Sequence, residues 1–65
     1  MTNNAANTFA TVCNEYDRAA AVVGERNLTE ARRRLRDAGH LLTVDRRASR
    51  TFALLARKAI KEAGK

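Results

Sequence analysis

The stretch LTEARRRLRDAGHLL, from Leu28 to Leu42, determines the fold that we predict for this chain. Its apolar residues alternate between intervals of three and four positions, at Leu28, Ala31, Leu35, Ala38 and Leu42. This spacing places them on one face of an α-helix, whereas a half-buried strand would repeat every second residue. The stretch therefore predicts an amphipathic helix whose arginines surround and oppose a narrow apolar stripe.

The ends of this helix are less sharply defined than its apolar face. Asn27 is a candidate N-cap with Glu30 three residues later, as in a capping box, and Thr29 is an alternative cap. Gly39 interrupts the stripe with a residue of poor helix propensity. The helix either continues to about Leu42 or ends at Gly39 with a tight apolar link after it, and we favour the ending at Gly39.

Two further apolar stripes with helical spacing lie on either side of this stretch. The first, expected to follow an N-cap at Asn7 or Thr8 and to end at Gly24, comprises Phe9, Val12, Tyr16, Ala20 and Val23. The third, expected to follow an N-cap at Thr43 or Asp45, comprises Val44, Ala48, Phe52, Leu55, Ala59 and Ala63. The chain thus predicts three helices joined by short links.

The fold class follows from these three stripes. Proline is absent and no run of β-branched residues alternates with polar ones, so we predict an all-α protein. Its 65 residues allow one small domain, residues 1–65, in which residues 1–7 form a flexible N-terminal tail. Short links favour antiparallel neighbours, and hence a small three-helix bundle. A helical hairpin that dimerises is the alternative.

The formal net charge of +6 is unevenly distributed along the chain. Residues 1–31 contain two basic and four acidic residues, and residues 32–65 contain eleven basic and three acidic residues. The two parts therefore carry −2 and +8. This bias predicts a negatively charged partner, either nucleic acid or an acidic protein surface.

A helical wheel places most of the excess cations on outer faces. In the second helix Arg33 lies opposite the centre of the apolar stripe, and Arg36 and His40 lie beside Arg33. Arg32 and Arg34 flank the stripe on either side. In the third helix the outward row comprises Arg47, Arg50, Leu54, Arg57 and Lys61, with Lys58 and Lys65 nearby. The candidate binding residues are Arg33, Arg36, His40, Arg47, Arg50, Leu54, Arg57, Lys58 and Lys61.

The local supply of acidic residues does not balance these rows. Asp37 can pair with Arg33 and Glu62 with Lys58, but Arg50 and Arg57 have no acidic residue three or four positions away. A charged outer face can serve solubility alone. Uncompensated like charges instead point to an absent partner.

Two partner classes fit this pattern. Guanidinium groups bind phosphate oxygens in pairs, and all three aromatic residues lie on apolar stripes, so we expect contact with the phosphate backbone of a duplex or structured RNA rather than base stacking. Leu54, an apolar residue surrounded by cations, supports an alternative: a small protein–protein interaction module that docks on an acidic face of a target and regulates or inhibits it. A homodimer would have the same appearance.

Other classes of function lack the residues that they need. One histidine and one cysteine form neither a catalytic triad nor a four-ligand zinc site, and no glycine-rich phosphate loop is present. We therefore expect no enzyme activity, cofactor, metal or small-molecule substrate. No apolar run approaches the length of a membrane span, and we expect a cytoplasmic protein with a reduced Cys13 that packs as a small apolar side chain.

Overall fold

A computed structural model of the chain describes the backbone of residues 4–64 and the side chains of residues 5–64. Within this part the chain forms three α-helices, α1 (Asn4–Val23), α2 (Thr29–Leu41) and α3 (Arg46–Ala63), and no strand. A short 3₁₀-helix, Glu25–Leu28, joins α1 to α2. The predicted all-α class and small three-helix bundle are confirmed.

The three helices share one core, to which α3 contributes most. It packs extensively against both α2 and α1, whereas α1 and α2 have few contacts with each other. The predicted stripe of α2 is the buried one, because Leu28, Ala31, Leu35 and Ala38 are all buried. The Cα radius of gyration, 11.3 Å, is close to the value of about 10.7 Å expected for a compact chain of this length.

Helix α1 begins earlier than the sequence predicts. Its first residue is Asn4, and Ala5 is buried, so residues 4–7 of the expected tail belong to the helix and the predicted start at Asn7 or Thr8 is wrong. Residues 1–3 of that tail lie outside the described part of the chain. The predicted end is confirmed, because Gly24 follows Val23 with φ of +88°, a conformation that glycine adopts without steric cost.

The predicted capping box at the start of α2 does not form. The Asn27 amide donates to the carbonyl of Val23 at 2.5 Å, and the Thr29 hydroxyl donates to the carbonyl of Arg26 at 3.2 Å. Both side chains therefore satisfy carbonyls of the preceding turns instead of N–H groups of α2, and Leu28 precedes the helix without a side-chain cap.

The predicted ending of α2 at Gly39 is also wrong, because the helix continues to Leu41. A contact with α1 accounts for the glycine at this position. A Cβ atom at position 39 would lie 3.2 Å from Cζ of Phe9, which is closer than ordinary van der Waals contact. Gly39 thus allows the Phe9 ring to lie against the backbone of α2. The glycine marks a close contact between helices rather than a helix end.

Helix α3 begins as predicted, but its buried face differs from the predicted one. Asp45 is the N-cap, and its carboxylate accepts a hydrogen bond from the N–H of Ala48 at 3.2 Å. The buried residues of the helix are Ser49, Ala53, Ala56 and Ile60. At 100° per residue, the centre of this face lies roughly 90° from the centre of the predicted stripe.

The larger apolar residues of the predicted stripe lie at the edge of the core or outside it. Phe52 is half-buried, Leu55 is 40% exposed and Val44 is 79% exposed. Small residues instead occupy the centre of the α2–α3 contact, where the Ser49 hydroxyl donates to the carbonyl of Ala38 at 2.7 Å. Small side chains let the two backbones approach closely, and this close approach determines which face of α3 is buried.

Candidate nucleic-acid interface

Helix α2 exposes a compact group of cations on the side opposite its buried stripe. Arg32, Arg33 and Arg36 are exposed, and His40 lies one turn beyond Arg36. Together these four residues are called the α2 basic face, which spans about 12 Å along the helix. Thr29 and the three arginines line a shallow depression. Among the described residues, none of the three arginines has an ion-pair partner.

Helix α3 presents a longer row of cations. Its exposed members, called the α3 basic face, are Arg47, Arg50, Lys58 and Lys61. They lie within a sector of roughly 80° and extend about 21 Å along the helix. Leu54 lies at the centre of this face, one and two turns from the four cations, and is 40% exposed. The structure thus places four of the predicted cations around the predicted apolar residue.

Arg57 does not have the unpaired guanidinium that its local sequence predicts. Its Nε donates to Oε1 of Glu15 at 2.9 Å, and its Nη2 donates to Oε2 at 3.2 Å. Both side chains are about one-third exposed. The pair therefore joins α1 to α3 and neutralises the charge of Arg57. Glu15 is 42 residues away in sequence, so no local pattern indicates it as the partner.

Arg34 is the other arginine with a partner inside the described part of the chain. Its Nε lies 2.8 Å from Oε2 of Glu30, and its guanidinium carbon lies 5.8 Å from the centre of the Phe52 ring. Its aliphatic chain and its guanidinium plane therefore cover the edge of the core, beside the stripe that Arg34 flanks. The ion pairs of Arg33 with Asp37 and of Lys58 with Glu62, which the sequence allows, do not form among the described residues.

Groups that could support chemistry or metal binding are sparse in residues 5–64. Burial raises the pKa of the Cys13 thiol, and the nearby carboxylate of Asp17 raises it further. A thiol with a raised pKa is a poor nucleophile near neutral pH. The described side chains include no group of three or more histidine, cysteine or acidic residues that could hold a metal ion. None of the described helices is long and apolar enough to cross a membrane.

The α2 and α3 basic faces are therefore the strongest candidates for a functional site. Arg32, which the sequence places only at the flank of the stripe, joins Arg33 and Arg36 on the first of them. Comparisons with protein-family models, curated proteins and solved structures find no match to this chain.

Proposed function

We propose that this chain binds the phosphate backbone of duplex or structured nucleic acid, as a non-catalytic module, with the α3 basic face as its main contact surface. The observation that carries the proposal is the row of four exposed cations on one helix, none of which has an acidic partner among the described residues. Arg57 is not part of this surface, because Glu15 engages its guanidinium.

Phosphate is the chemistry that such a row fits best. The arginines can each bind two phosphate oxygens, and lysines at the other end of the row act as point charges. A duplex backbone presents its charges in a regular line, and binding releases its condensed counterions. A single helix with cations spread over about 21 Å can therefore contact several phosphates at once.

A duplex or folded strand is favoured over an unstructured single strand. Single-strand binding proteins commonly expose aromatic rings on which bases stack. Phe9, Tyr16 and Phe52 are half-buried here and pack against the core. No aromatic side chain of the described residues is therefore available on either basic face as a stacking platform.

The proposal is tested by fluorescence anisotropy with a labelled duplex of about 20 base pairs at several salt concentrations. With four to five phosphate contacts, the slope of log K against log salt should be roughly −3.5 to −4.5. Replacing Arg47→Gln and Arg50→Gln together should reduce the magnitude of this slope by about two and lower the affinity at least tenfold at low salt.

A matched control removes the same charge elsewhere. Arg18 and Arg26 are exposed and lie outside both basic faces, so Arg18→Gln with Arg26→Gln should reduce affinity much less. Equal losses in the two double variants would show that net charge alone, and not a located face, drives binding. Absence of binding to both duplex DNA and structured RNA at low salt would exclude the proposed function.

A second candidate function rests on one separate observation. Leu54 and Leu55 are adjacent on the outer side of α3, and each is 40% exposed. Two leucines beside four cations form a surface that could dock on an acidic protein face. This surface supports the alternative interaction module that the sequence also predicts.

Leu54→Ala distinguishes the two candidates. For a phosphate-contacting face, this change should alter the affinity for the duplex by only a few tenths of a kcal/mol, because leucine makes no phosphate contact. As the anchor of a protein interface, Leu54 should contribute about 2 kcal/mol or more to the binding of that protein. Circular dichroism of the variant must first match the parent, because a loss of helicity would mean that Leu54 supports the fold instead.

A further inference from the structure

The α2 and α3 basic faces point in different directions. The hydrogen bond from Ser49 to Ala38, and the contact of Arg34 with Phe52, pack α2 and α3 against each other in antiparallel orientation. On each helix the exposed basic residues lie away from the buried face. In a three-helix bundle the outer sides of two helices point in different directions. The two faces are therefore separate surfaces and do not form one continuous patch.

Non-basic surface separates the two faces on the side away from α1. Arg34 and Gly39 flank the buried stripe of α2 on opposite sides, and Phe9 of α1 covers Gly39. The side that carries Arg34 therefore faces away from α1. Its neighbours three or four positions away on α2 are Glu30 and Asp37, and the adjoining edge of α3 carries Phe52 and Leu55.

The surface of α1 separates them on the other side. Between Ala5 and Val23 this helix carries one basic residue, Arg18, and two acidic residues, Glu15 and Asp17. Glu15 also forms an ion pair with Arg57 of α3, and this pair carries no net charge. The described surface of α1 therefore carries no excess of positive charge that could connect the two faces.

A single duplex cannot contact both faces. The bundle measures 34 × 19 × 14 Å, and the two basic faces lie on different helices of it. With a persistence length of about 50 nm, a duplex is straight over this distance. A straight duplex that lies along the α3 basic face does not bend around the bundle, so it leaves the α2 basic face directed into solvent.

From this arrangement we infer that the chain bridges two nucleic-acid segments, with one duplex on the α3 basic face and a second on the α2 basic face. The inference rests on the proposed function and extends it from binding to bridging. The α2 basic face supplies three arginines, within two turns of one helix, that have no ion-pair partner in the described part of the chain. By placing cations on both sides, the protein offsets the repulsion between two polyanions.

The test measures capture of one duplex by another. A duplex of about 30 base pairs is immobilised on beads, a second duplex with a fluorescent label is added at low salt, and its retention is measured with increasing protein. Binding to the labelled duplex alone is measured in parallel by anisotropy. The wild-type chain should retain the labelled duplex on the beads at least fivefold above the level without protein.

Two charge-matched double variants identify the surface responsible. Arg33→Gln with Arg36→Gln removes cations of the α2 basic face, and Arg18→Gln with Arg26→Gln removes the same charge from outside both faces. None of these four arginines forms an ion pair with another described side chain, and glutamine has a similar helix propensity. The first variant should lose most of the capture, and its affinity for a single duplex should fall much less than that of the variant with Arg47→Gln and Arg50→Gln. The second should keep both.

Four outcomes would overturn the inference. If the wild-type chain binds one duplex but captures no second one, bridging is excluded and the proposed function stands. If the Arg33 and Arg36 variant captures as well as the wild type, a dimer that uses two α3 basic faces bridges the duplexes instead. If both variants lose capture equally, bridging follows net charge alone. Absence of binding to a single duplex would remove the proposed function and, with it, the inference.

Discussion

Two buried hydroxyl groups of this bundle differ in their hydrogen bonding. The Ser49 hydroxyl, between α3 and α2, is fully buried and donates to the carbonyl of Ala38 at 2.7 Å. The Tyr16 hydroxyl oxygen, on α1, is also buried, and no described residue forms a hydrogen bond with it. The Ala38 carbonyl is available because the N–H of Leu42 donates to Gly39 instead.

This difference indicates how the two contacts are built. The α2–α3 contact combines small side chains with a polar group whose hydrogen bond requires one alignment of the helices. Helix α1 covers the pair with larger, half-buried side chains such as Phe9, Tyr16 and Val23, and with an ion pair at the surface. The alignment of α2 with α3 is therefore the more specifically determined part of the fold. Helix α1 is held mainly by the burial of its larger apolar side chains.

The largest effect is expected at the centre of the hairpin. Leu35→Ala should cost about 2 to 5 kcal/mol of unfolding free energy, because it removes a buried side chain and leaves a cavity. A domain of 65 residues has a total stability of only about 3 to 10 kcal/mol. Urea denaturation followed by circular dichroism measures the loss. Leu55→Ala, at a half-exposed position on the same hairpin, is the matched control and should cost less than half as much.

The next effect concerns the hydroxyl that has a partner. Ser49→Ala should destabilise the chain by about 1 to 3 kcal/mol, because the buried carbonyl of Ala38 loses its donor. The backbone N–H of residue 49 should be unaffected, since it donates its own hydrogen bond to the carbonyl of Asp45. A denaturation midpoint identical to that of the wild type would mean that the hydroxyl does not align the helices.

The hydroxyl without a partner should behave in the opposite way. Tyr16→Phe removes a buried polar atom that forms no hydrogen bond and keeps the ring, so the chain should become more stable by about 1 kcal/mol or less. The same urea titration measures the change. A loss of stability comparable to that of Ser49→Ala would show that the Tyr16 hydroxyl has a partner, such as water, and that the two contacts are equally well satisfied.

The smallest effect tests the contact between α1 and α2. Gly39→Ala should gain about 1 kcal/mol of helix propensity, but the new Cβ would lie 3.2 Å from the Phe9 ring. The net change should be a few tenths of a kcal/mol. In a Phe9→Leu background the net gain in stability from Gly39→Ala should be larger, because the Phe9 ring no longer opposes the new Cβ. A double-mutant cycle of the four proteins measures this coupling, and equal effects in both backgrounds would exclude the contact.

The sequence predicts the position of α2 well because leucines dominate its stripe. Leu28 and Leu35 carry most of the apolar signal, and both are buried. In α3 the same reasoning follows Phe52 and Leu55, which are the largest residues, whereas the core contact selects Ser49, Ala53 and Ala56. Close packing of two backbones favours small residues, and periodicity weighted by hydrophobicity assigns those residues little importance.

The candidate site could be predicted only where it depends on local spacing. Arg33, Arg36 and His40 are exposed as expected, because the register of α2 is correct. The sequence predicts that Arg57 faces outward with the rest of its row, but the rotation of α3 brings it next to α1, where Glu15 binds it. A partner 42 residues away depends on how the helices pack, and no pattern within one helix contains that information.

The many alanines in the core also determine how this protein responds to temperature. The heat-capacity increase on unfolding reflects the apolar surface that becomes exposed, and an average chain of this length gives about 0.8 to 1.0 kcal/mol/K. Ala31, Ala38, Ala53 and Ala56 each expose little such surface, so the increment should fall below this range. The stability curve should therefore be flat near room temperature, and calorimetry should record a broad melting transition with a small enthalpy.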